Sequence, residues 1–231
     1  MQWLVEQTLS RMEPRAVGHM FERLQVKSAG ADPRIGEYAL NYNNPQALCF
    51  LIDVFPDLQM LFSQFPRMGE IRFLDIGPAF GASAGLISQM HRSHFLGPKV
   101  SVEVLDITNE REAFIGLSYP LINFREGKIE EVAPDITWDV TYCSNAIEHM
   151  SSPELFIERV LSKTTSFACF LAPFSELEPM SPGHVSRIAK DTFAKFEVIK
   201  MRVFESAAWP TTPEGLKRHQ IFAVLRGRAC P

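Results

Sequence analysis

The sequence predicts an α/β fold: a seven-stranded open sheet, mostly parallel with an antiparallel last strand, helices on both faces and an N-terminal helical cap. Three observations lead there. The stretch from Phe73 to Gly85 (FLDIGPAFGASAG) reads as a buried strand that turns through glycines into a helix. From Ile71 onward, short apolar runs alternate with amphipathic ones, as strands joined by crossover helices do. The last two apolar runs have no helical pattern between them, only residues 205–219 with Pro210, Pro213 and Gly215, so they are expected to pair antiparallel through a long loop.

Residues 1–27 alternate apolar and charged positions at helical spacing. Asn44-Pro45 opens a second helical pattern through Leu48, Leu51, Ile52, Phe55, Leu58, Leu61 and Phe62. Both precede the sheet, so residues 1–69 are read as a helical cap on the substrate side and residues 70–231 as the core, the two forming one compact unit. Strands are expected at Ile71–Ile76, Val100–Asp106, Leu121–Arg125, Thr137–Cys143, Ser166–Leu171, Phe196–Val203 and Gln220–Arg226. Helices are expected near Ala82–His91, Glu110–Gly116, Pro153–Ser162 and Ser186–Ala194.

At 231 residues, 46% hydrophobic and 22% charged, the chain has the composition of one globular domain. A net charge of -4 argues against electrostatic binding to nucleic acid or anionic lipid, which requires a basic face. Cys49, Cys143, Cys169 and Cys230 form no C-x-x-C pair, and three sit in apolar runs where free thiols pack as small hydrophobes. Neither a signal-peptide pattern nor an apolar stretch of the roughly 18 residues needed to cross a bilayer is seen. A reduced, cytoplasmic protein without a metal site is the expectation, and nothing in the sequence indicates oligomeric state.

A glycine turn lets a ligand approach the backbone, and it leaves N–H groups free at the start of the next helix. Nicotinamide oxidoreductases also place glycines here, but as G-x-G-x-x-G, whereas Gly77, Gly81 and Gly85 stand at four-residue spacing. Asp106 closes the second strand. A carboxylate there suits ribose hydroxyls, the plainer reading being a helix N-cap.

The D-x-G-x-x-x-G turn, the acidic end of the second strand, and the run from Asp139 to Met150 (DVTYCSNAIEHM) along and just beyond the fourth strand together resemble the Rossmann-like class I S-adenosylmethionine-dependent methyltransferases, in their small-molecule branch. The resemblance covers Ile71 to Arg226 and implies S-adenosyl-L-methionine as cofactor. Asp75, Gly77, Ala79 and Gly81 would lie beneath its amino-acid portion, with Asp75 facing the ammonium. Asp106 would hold the ribose and Ile107 would lie on the adenine, while the backbone at Lys128 and Ile129 would meet the adenine edge. Ser144 would stand beside the sulfonium. Ala79 replaces a family glycine, and Lys128 stands where the family often carries an acid.

Methyl transfer needs alignment and, for a hydroxyl or a protonated amine, a proton acceptor. His149 and His184 are the candidates. A histidine held by a backbone carbonyl is the plainer reading of His149, and a helix-capping loop residue that of His184. Glu176 and Glu178 share the loop with His184 and read as surface charge, and Tyr38, Tyr42, Phe174 and Trp209 as acceptor-pocket aromatics or packing. The implied activity is methyl transfer to oxygen or nitrogen of a small-molecule or glycan-like acceptor. A non-catalytic cofactor-binding protein and a nicotinamide oxidoreductase are the alternatives. The N-P-P-Y sequence of enzymes that methylate nucleic-acid amines is absent, which together with the acidic balance argues against a nucleic-acid partner.

Overall fold

The computed structural model describes residues 43–176, 180–181, 183–206, 208 and 218–228. The helical pattern at 1–27, Tyr38, Tyr42, Glu178, Trp209 and Cys230 lie outside the described residues. The elements are α1 (Asn44–Phe62), β1 (Glu70–Ile76), α2 (Ala82–Met90), β2 (Lys99–Asp106), α3 (Glu112–Ser118), β3 (Ile122–Glu126), β4 (Trp138–Ser144), α4 (Pro153–Ser162), β5 (Thr164–Pro173), β6 (Val198–Glu205) and β7 (His219–Arg226).

One seven-stranded sheet runs in the order β3-β2-β1-β4-β5-β7-β6. Strands β1 to β5 are mutually parallel, and β7 is inserted antiparallel between β5 and β6. The carboxyl ends of β1 to β5 therefore share one edge. Both faces are covered, which is why the central strands read as near-continuous apolar runs rather than alternating ones. Successive residues of β1 serve opposite cores: Phe73 packs with Phe62, Phe80 and Tyr142, whereas Leu74 packs with Ile157, Phe170 and Phe193.

α1 buries Leu51, Val54, Phe55, Leu58 and Leu61 in the first of these cores. It is pinned to β6 by Asp57, which accepts from Lys200 at 2.5 Å and Arg202 at 3.0 Å. Gln59 joins α1 to the buried His91 across 2.8 Å, and burial holds the His91 pKa below its ordinary value. Cys49, Cys143 and Cys169 are free thiols. Among the described residues, no helix is long and apolar enough to cross a membrane.

The helix expected over Ser186–Ala194 does not form. Its backbone groups are engaged elsewhere: the amides of Val185 and Ser186 both donate to the Glu148 carbonyl, and the Ile188 carbonyl accepts from Ser175. Ile188 makes a parallel bridge with Phe174, and only a short 3-10 turn at Asp191–Phe193 follows. The Phe196 amide closes that turn on Phe193, so β6 begins two residues later than its apolar run suggests.

Candidate functional site

β1 ends in a turn whose backbone is forced into the left-handed region at Gly77 (φ 68°), Ala79 (φ 52°) and Gly81 (φ 78°). A Cβ on Gly77 would stand 3.0 Å from that of Ala146, so this turn lies directly against the segment that follows β4. Gly85 has another task. A side chain there would come within 2.2 Å of the Tyr119 ring, so this glycine exists to seat α2 on Tyr119.

Asp75 is 2% exposed, and among the described residues no hydrogen bond reaches its carboxylate. Burial first, and the charge of Asp106 second, push its pKa up to about 8. A buried acid without a hydrogen-bond partner carries a desolvation cost that a cation would offset. Asp106, at the adjoining end of β2, is likewise buried but accepts from Arg111 at 2.9 Å through Oδ2. It caps no helix: α3 starts at Glu112 with no side-chain cap. Arg111 also lies over the Phe80 ring, 5.3 Å from its centroid, and so joins the second strand end to the glycine turn. No motif pointed to Arg111.

Ile107, next to Asp106, is 68% exposed. After β3, Ile129 is buried in the core, and the Lys128 amide donates to the Glu131 carboxylate at 3.1 Å. The Lys128 amide is thus already engaged, which leaves fewer backbone donors at this corner than the resemblance implied. Ser144 closes β4 and accepts from the side chain of Asn145. Asn145 takes the left-handed conformation (φ 50°) that asparagine tolerates, and the buried Gln220 of β7 donates to it. With Ala79 and Ser175 (φ 46°), it is one of three non-glycine residues at positive φ among the described residues, located after β1, β4 and β5. Backbone strain is thus concentrated at the same ends of three neighbouring strands, where functional sites store it.

Beyond β4, a 3-10 turn at Ile147–His149 carries Glu148 and His149. Nδ1 of His149 bonds the Gly183 carbonyl at 2.8 Å, and its ring meets that of His184 edge-on at a centroid distance of 4.9 Å. His184 bonds the Glu176 carboxylate through Nδ1 at 2.5 Å, while its Nε2 faces Glu148 Oε1 at 3.9 Å. Glu176 is no surface charge: it also accepts from the amide and hydroxyl of Ser181. Burial would raise its carboxyl, but these hydrogen bonds outweigh that effect and hold it below the ordinary range. Glu148 is 2% exposed, and its Oε2 has no hydrogen-bond partner. Burial pushes its pKa up to about 8 against a hydrogen bond from its own amide, with the charge of Glu176 adding to the rise.

Glu148 escaped the sequence reading as a site residue because only the fold brings it against His184. The Cys143 thiol is raised by burial and then by the charges of Glu148 and Asp75. Phe174 is partly buried and packs against the second core.

No family model and no curated protein matches the sequence. Solved structures do match. Coclaurine N-methyltransferase bound to N-methylheliamine and SAH aligns at TM-score 0.57 and 10% identity, over 74% of this chain and 69% of that one. The [4+2]-cyclase SpnF aligns at 0.55 and 12%, over 75% and 81%. A putative sarcosine dimethylglycine methyltransferase from Galdieria sulphuraria aligns at 0.54 and 13%, over 75% and 83%. At such identities the likeness speaks for the fold: this chain has the seven-stranded, Rossmann-like architecture of the class I S-adenosylmethionine-dependent methyltransferases.

Proposed function

We propose that the chain transfers a methyl group from S-adenosylmethionine to an oxygen or nitrogen of a small-molecule or glycan-like acceptor. The observation that carries this reading is the pair of buried acids at adjacent strand ends, Asp75 without a partner beneath the turn and Asp106 beside it. An ammonium and a ribose suit these two carboxylates. The pyrophosphate of a nicotinamide dinucleotide does not, because Asp75 would oppose its charge at the turn.

Asp75 would hold the ammonium and Asp106 the ribose hydroxyls through the oxygen that Arg111 leaves open. Ile107 would cover one adenine face, and Ser144 would stand near the sulfur. When bound, the cofactor supplies a methyl on a positive sulfur, whose carbon–sulfur bond pair stays with sulfur as the acceptor's lone pair takes the carbon. His184 is oriented by Glu176 with Nε2 turned away from that bond, and in this reading it accepts the acceptor's proton. His149, tied to Gly183, holds the other wall.

The fold also hosts a protein named as a cyclase, so fold alone does not choose the reaction. A thermal-shift assay decides the ligand: at 100 times Kd a specific ligand adds about 2.7 kcal/mol, a rise of roughly 5 to 10 °C. S-adenosylmethionine and its demethylated product should each give that rise and NAD none; the reverse result refutes the reading. A methyl-transfer screen on hydroxyl and amine acceptors then separates catalysis from binding alone.

A further inference from the structure

We infer that Glu148, His149 and His184 form a binding site for a divalent first-row transition-metal ion that holds the hydroxyl oxygen of the methyl acceptor. The assignment of the acceptor rests on the methyl-transfer reading, whereas the metal site stands on its own geometry. No metal was expected from the sequence, because Glu148 and His149 are separated from His184 by more than thirty residues and form no ligand-spacing motif.

The ligand atoms of the three side chains all lie within 4.8 Å of one another. In an occupied site they would draw in to about 3 Å, a small side-chain adjustment given metal–nitrogen bonds near 2 Å. Each imidazole already has the tautomer that a metal requires. A carbonyl only accepts, so the bond to Gly183 puts the proton of His149 on Nδ1 and leaves a lone pair on Nε2. Glu176 accepts two donors from Ser181 and is an acceptor for His184 also, so Nε2 of His184 carries its lone pair as well. Metal-bound histidines characteristically donate their other N–H to a backbone carbonyl or a carboxylate, and here one of each is present.

Glu148 is the independent sign of a missing partner. It is 98% buried, yet Oε2 has no hydrogen bond and Oε1 stays 3.9 Å from His184, too far for one. A carboxylate oxygen without a partner at such depth is costly, and a cation offsets that cost. The two walls are fixed relative to each other: Val185 and Ser186 donate to the Glu148 carbonyl, and the Ser186 hydroxyl donates to Met150 at 2.7 Å. Two imidazoles and one carboxylate suit divalent iron, manganese, cobalt or zinc and leave coordination positions open, while magnesium and calcium prefer oxygen alone.

The site follows β4, and Ala146, two residues before Glu148, touches the glycine turn at Gly77. An acceptor hydroxyl bound there loses its proton to water at a lower pKa. Its oxygen pair then forms the bond to the methyl carbon as the carbon–sulfur pair returns to sulfur. In this form His184 is a ligand and no longer the proton acceptor.

The test uses untagged, chelator-treated protein titrated with Co²⁺ and followed by visible absorption, with bound zinc counted by elemental analysis. We expect one ion per chain with ligand-field bands, and loss of affinity of 100-fold or more in Glu148→Gln and in His184→Ala. Binding of S-adenosylhomocysteine should stay within a few-fold in both variants, which also shows that they fold. Absence of stoichiometric binding by the wild-type protein, or equal binding by the folded variants, overturns the inference. Metal binding without S-adenosylhomocysteine binding would keep the site and sink the methyl-transfer reading; the opposite result would sink the site alone.

Discussion

Replacing Asp75 by asparagine isolates the charge on which the proposed donor site rests. Folding carries this carboxyl from an ordinary 3.8 to about 8, chiefly by desolvation. Between those values the folded chain holds a proton that the unfolded chain has released, so stability falls as pH rises through this window. The slope approaches about 1.4 kcal/mol per pH unit and the total is at most about 6 kcal/mol. Asp75→Asn keeps the shape and never ionises. Its stability advantage over wild type in guanidinium unfolding should therefore grow from pH 5 to pH 8 and level off above. Ligand binding should show the same linkage in reverse. A bound ammonium favours the carboxylate, so affinity for S-adenosylhomocysteine should rise toward pH 8 with release of close to one proton. Calorimetry in two buffers of different ionisation enthalpy measures that proton. The variant should release none and bind 10- to 100-fold more weakly, the worth of one charge-assisted contact. A stability difference that does not vary with pH, or equal proton release by both proteins, would refute the reasoning.

Gly85→Ala drives a methyl into the Tyr119 ring and should cost about 1–3 kcal/mol, seen as a lower melting temperature. Ala79→Gly removes a side chain from a left-handed residue and should raise stability by up to about 1 kcal/mol in chemical denaturation, with ligand affinity kept. Asp106→Ala should weaken S-adenosylhomocysteine at least tenfold by calorimetry while barely changing the affinity of an analogue without ribose hydroxyls. Were both ligands affected equally, the ribose role of Asp106 would be wrong.

The local sequence determined the sheet and its direction. Apolar runs of strand length separated by amphipathic segments admit few structures other than crossover units, and right-handed crossovers make neighbouring strands parallel. The same logic located the turn after β1 and the acid at the end of β2, because a glycine turn and a terminal carboxylate are local features of a few consecutive residues. The helix expected at Ser186–Ala194 shows where this logic ends. Its residues have helical spacing, but the carbonyl of Glu148 and the amide of Ser175 claim its backbone groups, and those partners come from other strand ends.

The partners of the site residues were decided in the same way. Arg111 meets Asp106 within five residues, yet its place over Phe80 depends on the turn after β1. Glu148 and His149 are neighbours in sequence, whereas His184 reaches them only because β4 and β5 lie side by side and the chain beyond β5 folds back onto the Glu148 carbonyl. Local sequence sets backbone preference and pattern. The burial that encloses Asp75 and Glu148 and lifts both pKa values is a property of many residues packed from distant parts of the chain, and only the tertiary structure could produce it.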